Sequence, residues 1–157
     1  PKAVGLLGAA LLDIAGAHEQ AIRQMFPDVR IYPISASVLE PLIEAGWLKK
    51  PETVMAVKKY LHPLKLRQVD TLVLGSNHYT CLTRTIQRKI GKRVILVDAA
   101  PFLAQGVKDF LVTHSGAEDA CPRGGRCRIM VSDMTPHLKK TAKMFYGANA
   151  VLERVAV

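Results

Sequence analysis

Three consecutive side chains, Ser76, Asn77 and His78, stand where a predicted strand ends, and they could do chemistry there. They follow the apolar stretch 71–74 and Gly75, and they precede a predicted helix. In an open α/β sheet, ligands bind at the carboxyl ends of strands. The amide of Asn77 can donate hydrogen bonds to a carboxylate, and an imidazole can move protons near neutral pH. The sequence therefore predicts a ligand site or an active site at these residues.

The elements that must position this site alternate between strand and helix along the whole chain. Such alternation predicts an α/β protein with a doubly wound, mostly parallel sheet. Strands are predicted at 4–7, 29–34, 72–74, 93–97 and 127–131, with a last extended segment at 151–157. Helices are predicted at about 14–26, between Ser37 and Gly46, from Pro51 onward, at 82–90, at 101–112 and up to about Tyr146.

Local signals predict how two helices begin and how deeply one strand is buried. Ser37 followed three residues later by Glu40 is typical of a capping box at a helix N-terminus. Ser132 or Asp133 is predicted to cap the final helix. The uninterrupted apolar residues after Arg93 are typical of a strand that is buried in a parallel sheet.

Composition indicates a globular chain of one domain, or one and a fraction. The 157 residues are 49% hydrophobic and 22% charged, and no apolar run approaches the roughly 20 residues of a membrane span. The net charge of +9 raises nucleic acid or a small anion as partners. However, the basic residues are scattered in pairs and aromatic residues are only 6%, so a solvated surface is favoured over a nucleic-acid site. Because the sequence starts at Pro1 without methionine, we expect a piece of a longer protein.

The cysteines and the remaining histidines predict neither a disulfide framework nor a metal site. Cys121 and Cys127 are separated by five residues, which is wider than the usual spacing of a zinc-ligand pair. A reducing, cytoplasmic compartment fits this cysteine content best. The histidines without a motif are His62, His114 and His137.

Several segments, in order and with their spacing kept, resemble the glutamate racemase family. Segment 70–82 resembles its second catalytic motif, Asp-Thr-Leu-Val-Leu-Gly-Cys-Thr-His-Tyr-Pro-Leu-Leu. Segment 37–46 resembles Pro-Leu-Leu-Val-Pro-Leu-Val-Glu-x-Gly, in which Glu44 matches the glutamate. Shorter likenesses occur at 60–64, 96–98, 131–133 and 145–147.

The resemblance implies a two-domain enzyme of which this chain is the C-terminal half. In the family, two α/β domains face each other around glutamate, and each contributes one cysteine that acts as a base without any cofactor. Residues 1–99 would be the second domain, and 100–157 would return to complete the first. The implied function is the interconversion of L- and D-glutamate for peptidoglycan synthesis in the cytoplasm, with glutamate as partner, no membrane partner, and a homodimer left open.

The chain departs from the family at the centre of the motif. Ser76 stands in the place of the catalytic cysteine, and Asn77 stands in the place of a threonine that binds substrate. A hydroxyl is a far weaker acid than a thiol, so Ser76 is a poor substitute for the thiolate base. Cys81 lies five residues further on, inside a predicted helix, and is not expected to replace the missing thiol.

Other residues of the family site are retained, and three functional hypotheses remain open. The resemblance assigns His78 and Glu44 to proton transfer and recognition of the substrate amine, whereas Asp98 either caps a helix or touches ligand. The first hypothesis is a racemase represented by half of its length. The second is a racemase-like binding or regulatory module without catalysis, favoured by Ser76, Asn77 and the lack of threonine in the loop 8–12. The third, a nucleic-acid-associated protein, rests only on the charge.

Overall fold

A computed structural model describes residues 1–9, 14–114, 116, 128–147 and 149–156. The chain forms two compact units, 1–104 and 105–157, whose boundary lies within a helix. Most of the loop 8–12 and both Cys121 and Cys127 lie outside the described residues. No helix among the described residues has the length and apolar character to cross a membrane.

The first unit contains a four-stranded parallel sheet, which confirms the predicted fold class. The strand order is β2-β1-β3-β4, so β1 and β3 are the inner strands. Val4 of β1 lies between Ile31 of β2 and Thr71 of β3. The strands are β1 Ala3–Gly8, β2 Arg30–Ser35, β3 Thr71–Leu74 and β4 Ile95–Asp98.

Helices connect these strands at positions close to those predicted. A π-helical turn, Ile14–His18, leads into α1, and a 3-10 turn, Asn77–Leu82, leads into α4. Pro51 begins α3, where a fixed φ and a missing N–H cost nothing. The helices of this part are α1 Glu19–Met25, α2 Leu39–Glu44, α3 Pro51–Leu66, α4 Thr83–Ile90 and α5 Ala99–Thr113, the last of which runs into the second unit.

The core of the first unit lies where helices α2, α3 and α4 pack on the sheet. All six residues of β1 are buried. A Cβ atom on Gly5 would lie 2.9 Å from Cδ1 of Leu64, so glycine is needed for α3 to pack this closely on β1. The core residues with the largest fully buried side chains include Leu6, Leu7, Leu39, Ile43, Leu61, Leu64, Leu72, Tyr79, Leu82 and Ile86.

The predicted caps of two helices are wrong. Helix α2 begins at Leu39 with Val38 at the N-cap, and no side chain caps it. The Glu40 carboxylate instead accepts a hydrogen bond from Ser76, so the Ser37 capping box does not form. In the final helix, the hydroxyl of Thr135 accepts a hydrogen bond from the backbone N–H of Leu138.

The prediction that 93–97 is a buried strand is also wrong. Strand β4 is at the edge of the sheet and, among the described strands, pairs only with β3. Ile95 is 66% exposed, and the other three residues of β4 are half-buried. The apolar run therefore predicted the strand correctly, but it did not predict that the strand lies at the edge of the sheet.

The second unit contains a small parallel pair of strands and a helix. Its elements are β5 Ile129–Val131, α6 Pro136–Tyr146 and β6 Leu152–Arg154. Met130 pairs with Glu153 in the register of β5 and β6. The Arg128 guanidinium donates hydrogen bonds to the Glu153 carboxylate at 2.6 and 2.8 Å, which ties the two strands together at the surface.

Candidate active site

The predicted site lies at the point where the strand order of the sheet reverses. From β1 the chain crosses to β2 on one side, and from β3 it crosses to β4 on the other. The carboxyl ends of β1 and β3 therefore flank the crevice in which ligands bind to such sheets. Gly75 donates its backbone N–H to the carbonyl of Leu7 at 2.7 Å, and a Cβ on Gly75 would lie 3.2 Å from that oxygen. Glycine thus allows the chain to leave β3 close to β1, and Ser76 follows at the mouth of the crevice.

The hydroxyl of Ser76 is held by a carboxylate that comes from α2. Ser76 Oγ donates a hydrogen bond to Glu40 Oε1 at 2.7 Å, across 36 residues of sequence. Ser76 itself has an extended backbone, with φ −137° and ψ 134°, and directs the chain into the 3-10 turn. The residue at the place of the family cysteine is therefore a hydrogen-bond donor to an acidic neighbour.

His78 lies between two carboxylates on helix α2. Its Nε2 is 3.2 Å from Glu44 Oε1, and its Nδ1 is 3.5 Å from Glu40 Oε1. The side chains of His78 and Glu40 are 38% and 28% exposed, and that of Glu44 is 47% exposed. The structure thus brings Ser76, His78 and Glu44 together, and adds Glu40 to them.

Tyr79 ties the 3-10 turn to the segment that precedes helix α2. It is fully buried, and its hydroxyl donates to the backbone carbonyl of Ala36 at 3.0 Å. Burial, followed by the nearby charges of Glu40 and Tyr60, raises the pKa of the Tyr79 phenol well above its ordinary value. The phenol therefore stays protonated and donates a hydrogen bond to the segment that precedes α2.

The side chain of Asn77 makes no hydrogen bond with the residues that the structure describes. It opens the 3-10 turn and is exposed, whereas Ser76 and His78 on either side are partly covered. An exposed amide beside the crevice can donate to a carboxylate of a ligand. The substrate-binding role that the resemblance gives to Asn77 thus stays a prediction.

Asp98 holds the turn and the start of α5. Its carboxylate accepts hydrogen bonds from Thr80 Oγ1 at 2.9 Å, from Thr83 Oγ1 at 3.4 Å and from the backbone N–H of Ala100 at 3.1 Å. Of the two roles left open by the sequence, these contacts favour the helix cap. Burial, and then the charge of Asp98, raise the pKa of the Cys81 thiol, so the thiolate form of Cys81 is disfavoured.

Glu40 is the site residue that sequence reasoning missed. Its spacing from Ser37 fitted a local capping box, which concealed a contact that only the folded sheet creates. The signal that could have revealed it is a further departure from the family, because the family segment has valine where this chain has Glu40. Among the described residues, no three His, Cys, Asp or Glu side chains are grouped to hold a metal ion.

Comparisons with known proteins identify relatives along nearly the whole chain. The chain is 32% identical over 145 residues to a glutamate racemase of Syntrophus aciditrophicus, and 32% identical over 146 residues to one of Geobacter metallireducens. Each match covers 92% of this chain and 53% of the relative. The chain therefore spans about half the length of these relatives. No protein-family model matches the sequence.

Solved structures show the same fold. Glutamate racemase isoform RacE1 from Bacillus anthracis superimposes with a TM-score of 0.84 at 20% identity, covering 99% of this chain and 58% of that one. An Escherichia coli glutamate racemase, solved with L-glutamate and the activator UDP-MurNAc-ala, gives a TM-score of 0.78 at 21% identity, over 99% of this chain and 59% of the other. In sequence and in fold, the chain is thus similar to about half the length of glutamate racemases.

Proposed function

We propose that this chain forms one side of a cofactor-independent amino-acid racemase site that acts on glutamate. The observation that carries the proposal is His78, held between two carboxylates directly after β3 in a chain homologous to glutamate racemases. The chain spans about half of its relatives, so the opposite side of the site would come from residues outside the matched half. In this proposal, segment 100–157 returns to complete the domain that carries that opposite side.

The chemistry of the site divides among four side chains. His78 is close enough to Glu44 to share a proton with it, since Nε2 and Oε1 are 3.2 Å apart. Asn77 offers an exposed amide for a substrate carboxylate, and Glu44 offers a negative charge for the substrate amine. Ser76 lines the position from which the family thiol acts. The product, D-glutamate, would serve cell-wall peptidoglycan synthesis in the cytoplasm.

A second candidate function is a binding or regulatory module that has the racemase fold without catalysis. The observation that favours it is the hydrogen bond from Ser76 to Glu40, which places a neutral hydroxyl where the family has a thiol. A hydroxyl in this state cannot accept the α-proton of an amino acid, although ligand binding through Asn77 and His78 would remain. Binding of glutamate without proton exchange is the signature of this alternative.

Exchange of the α-proton of L- and D-glutamate for deuterium in D₂O separates the two functions. The full gene product is incubated with each enantiomer, and exchange is followed by NMR and chiral chromatography. Exchange from one enantiomer supports a racemase site in which one base works. An absence of exchange from both, together with binding measured by calorimetry, would replace the racemase proposal by the binding module.

A matched pair of variants shows whether any exchange belongs to this site. His78→Ala removes the imidazole between the two carboxylates, and we expect at least a 100-fold loss of exchange. His62→Ala removes an exposed imidazole on α3 and should leave the rate unchanged. Equal rates in both variants would assign the exchange to another site.

A further inference from the structure

Glu40 combines three properties that the proposed mechanism has not used. Its Oε1 atom accepts the Ser76 hydroxyl at 2.7 Å and lies 3.5 Å from Nδ1 of His78. Its Oε2 atom accepts no hydrogen bond from the described residues. The side chain is 28% exposed, so it is partly shielded but reachable. One oxygen of the carboxylate is therefore fixed in place, and the other is available to a ligand in the crevice.

The hydrogen bond settles which of the two side chains holds negative charge. Ser76 donates its proton toward Glu40, so the hydroxyl remains protonated and the carboxylate carries the charge. Removal of the hydroxyl proton would place an alkoxide 2.7 Å from a carboxylate, and two like charges at that distance repel strongly. The anionic group nearest to the position of the family thiol is thus Glu40.

Two departures from the family lie on opposite ends of this one hydrogen bond. The family segments have valine where Glu40 stands and cysteine where Ser76 stands. This chain thus has a carboxylate and a hydroxyl donor at the positions of an apolar residue and a thiol. A carboxylate is an established general base.

We propose that Glu40 is the proton-accepting group on this side of the site, and that Ser76 and His78 are positioning residues. The inference rests on the proposed function and names the base that performs its first step. The α-carbon–hydrogen bond of the amino acid breaks, and the proton moves to Glu40 Oε2. The electron pair stays on the α-carbon and is delocalised into the adjacent substrate carboxylate. In D₂O the protonated Glu40 exchanges with solvent and returns a deuteron to the same face of the carbon, with retention of configuration.

The test compares α-proton exchange in the full gene product with that of four variants. Glu40→Gln keeps the shape and removes the charge, and we expect at least a 100-fold loss of exchange. Glu40→Asp keeps a carboxylate on a shorter side chain and should retain measurable exchange. Ser76→Ala should lose no more than about tenfold, because the base is still present. Glu52→Gln, an exposed carboxylate in the first turn of α3, is the control and should leave the rate unchanged.

The split between KM and kcat separates positioning by Ser76 from a merely structural role. Without the Ser76 donor, Glu40 Oε1 is no longer fixed in place, so the rate of exchange at saturating glutamate should fall in Ser76→Ala while the KM stays unchanged. Circular dichroism of each variant verifies that it is folded.

Two results would overturn the inference, and they are distinguishable. If Ser76→Ala abolishes exchange while Glu40→Gln retains it, the proton acceptor is not Glu40, and the racemase proposal stands. If the unmodified protein exchanges neither enantiomer, the proposed function fails and the role of Glu40 as base fails with it.

Discussion

Replacement of Ser76 by cysteine should produce a thiol of unusually low reactivity, because the Glu40 carboxylate lies beside it. The Ser76 oxygen is 2.7 Å from Glu40 Oε1, and a sulfur atom at the same place would be within about 4 Å of the carboxylate charge. Two unit charges at 4 Å repel by about 1 kcal/mol in bulk water and about 4 kcal/mol at an effective dielectric constant of about 20. Glu40 is 28% exposed, which favours an intermediate value of about 2 kcal/mol. Since about 1.36 kcal/mol corresponds to a tenfold change in the ionised fraction, the thiolate population should fall about 30-fold.

Alkylation by iodoacetamide at neutral pH measures this population, because the thiolate is the reacting form. The rate is read at position 76 by peptide mass spectrometry, which separates it from Cys81 and the other native cysteines. We expect the double variant Ser76→Cys with Glu40→Gln to react about 30 times faster than Ser76→Cys alone. Ser76→Cys with Glu52→Gln is the matched control and should react like the single variant. Equal rates with and without the Glu40 carboxylate would refute the electrostatic coupling on which the assignment of Glu40 depends.

Three further predictions concern the stability of the fold, and each is checked by urea unfolding. Tyr79→Phe leaves the carbonyl of Ala36 without its donor and should lower the free energy of unfolding by about 1–3 kcal/mol; an unchanged value would mean that another group satisfies this carbonyl. Asp98→Ala removes the acceptor at the start of α5 and should cost about 1–2 kcal/mol without changing the pH profile of exchange, whereas a changed profile would return Asp98 to the list of ligand contacts. Burial alone would raise the pKa of Asp70, but hydrogen bonds from Lys2, Thr71 and Ala3 outweigh it and lower the pKa, so its contribution to stability is present above the unfolded value of about 3.9 and is lost as the pH falls further. Asp70→Asn should therefore reduce the acid dependence of stability below about pH 4, and an identical dependence in both proteins would contradict this reading.

The sequence was informative about the site wherever the signal was local to one strand end. The apolar run of β3, the glycine after it and the polar residues that follow predicted where Ser76 and His78 would lie. The sheet then brought α2 to the same edge, which explains why Glu44, 32 residues before Ser76 in the sequence, meets His78. Patterns within one element were enough to find these parts.

The sequence was misleading where a contact between distant segments competed with a local one. The Glu40 carboxylate does not accept a hydrogen bond from the backbone at the start of its own helix, because it accepts one from the Ser76 hydroxyl instead. At the final helix, Ser132 and Asp133 gave a plausible local signal for the cap, but the helix begins at Pro136 and Thr135 caps it. The apolar pattern of β4 describes its residues but not its neighbours, so the edge position could not be predicted from it.

The position of β1 between β2 and β3 has a consequence for how the chain folds. Ala3 of β1 pairs with Arg30 of β2, and Val4 also pairs with Thr71 of β3. One edge of β1 therefore stays unpaired until β3, far along the chain, joins the sheet. Closing the long loop between β1 and β3 costs chain entropy before the stabilising contacts form, so parallel sheets of this kind fold slowly. During that interval the wholly apolar strand β1 exposes unpaired backbone groups that another chain could bind. The same apolar residues that bury β1 at the centre of the finished sheet thus make it prone to aggregation while the protein is being made.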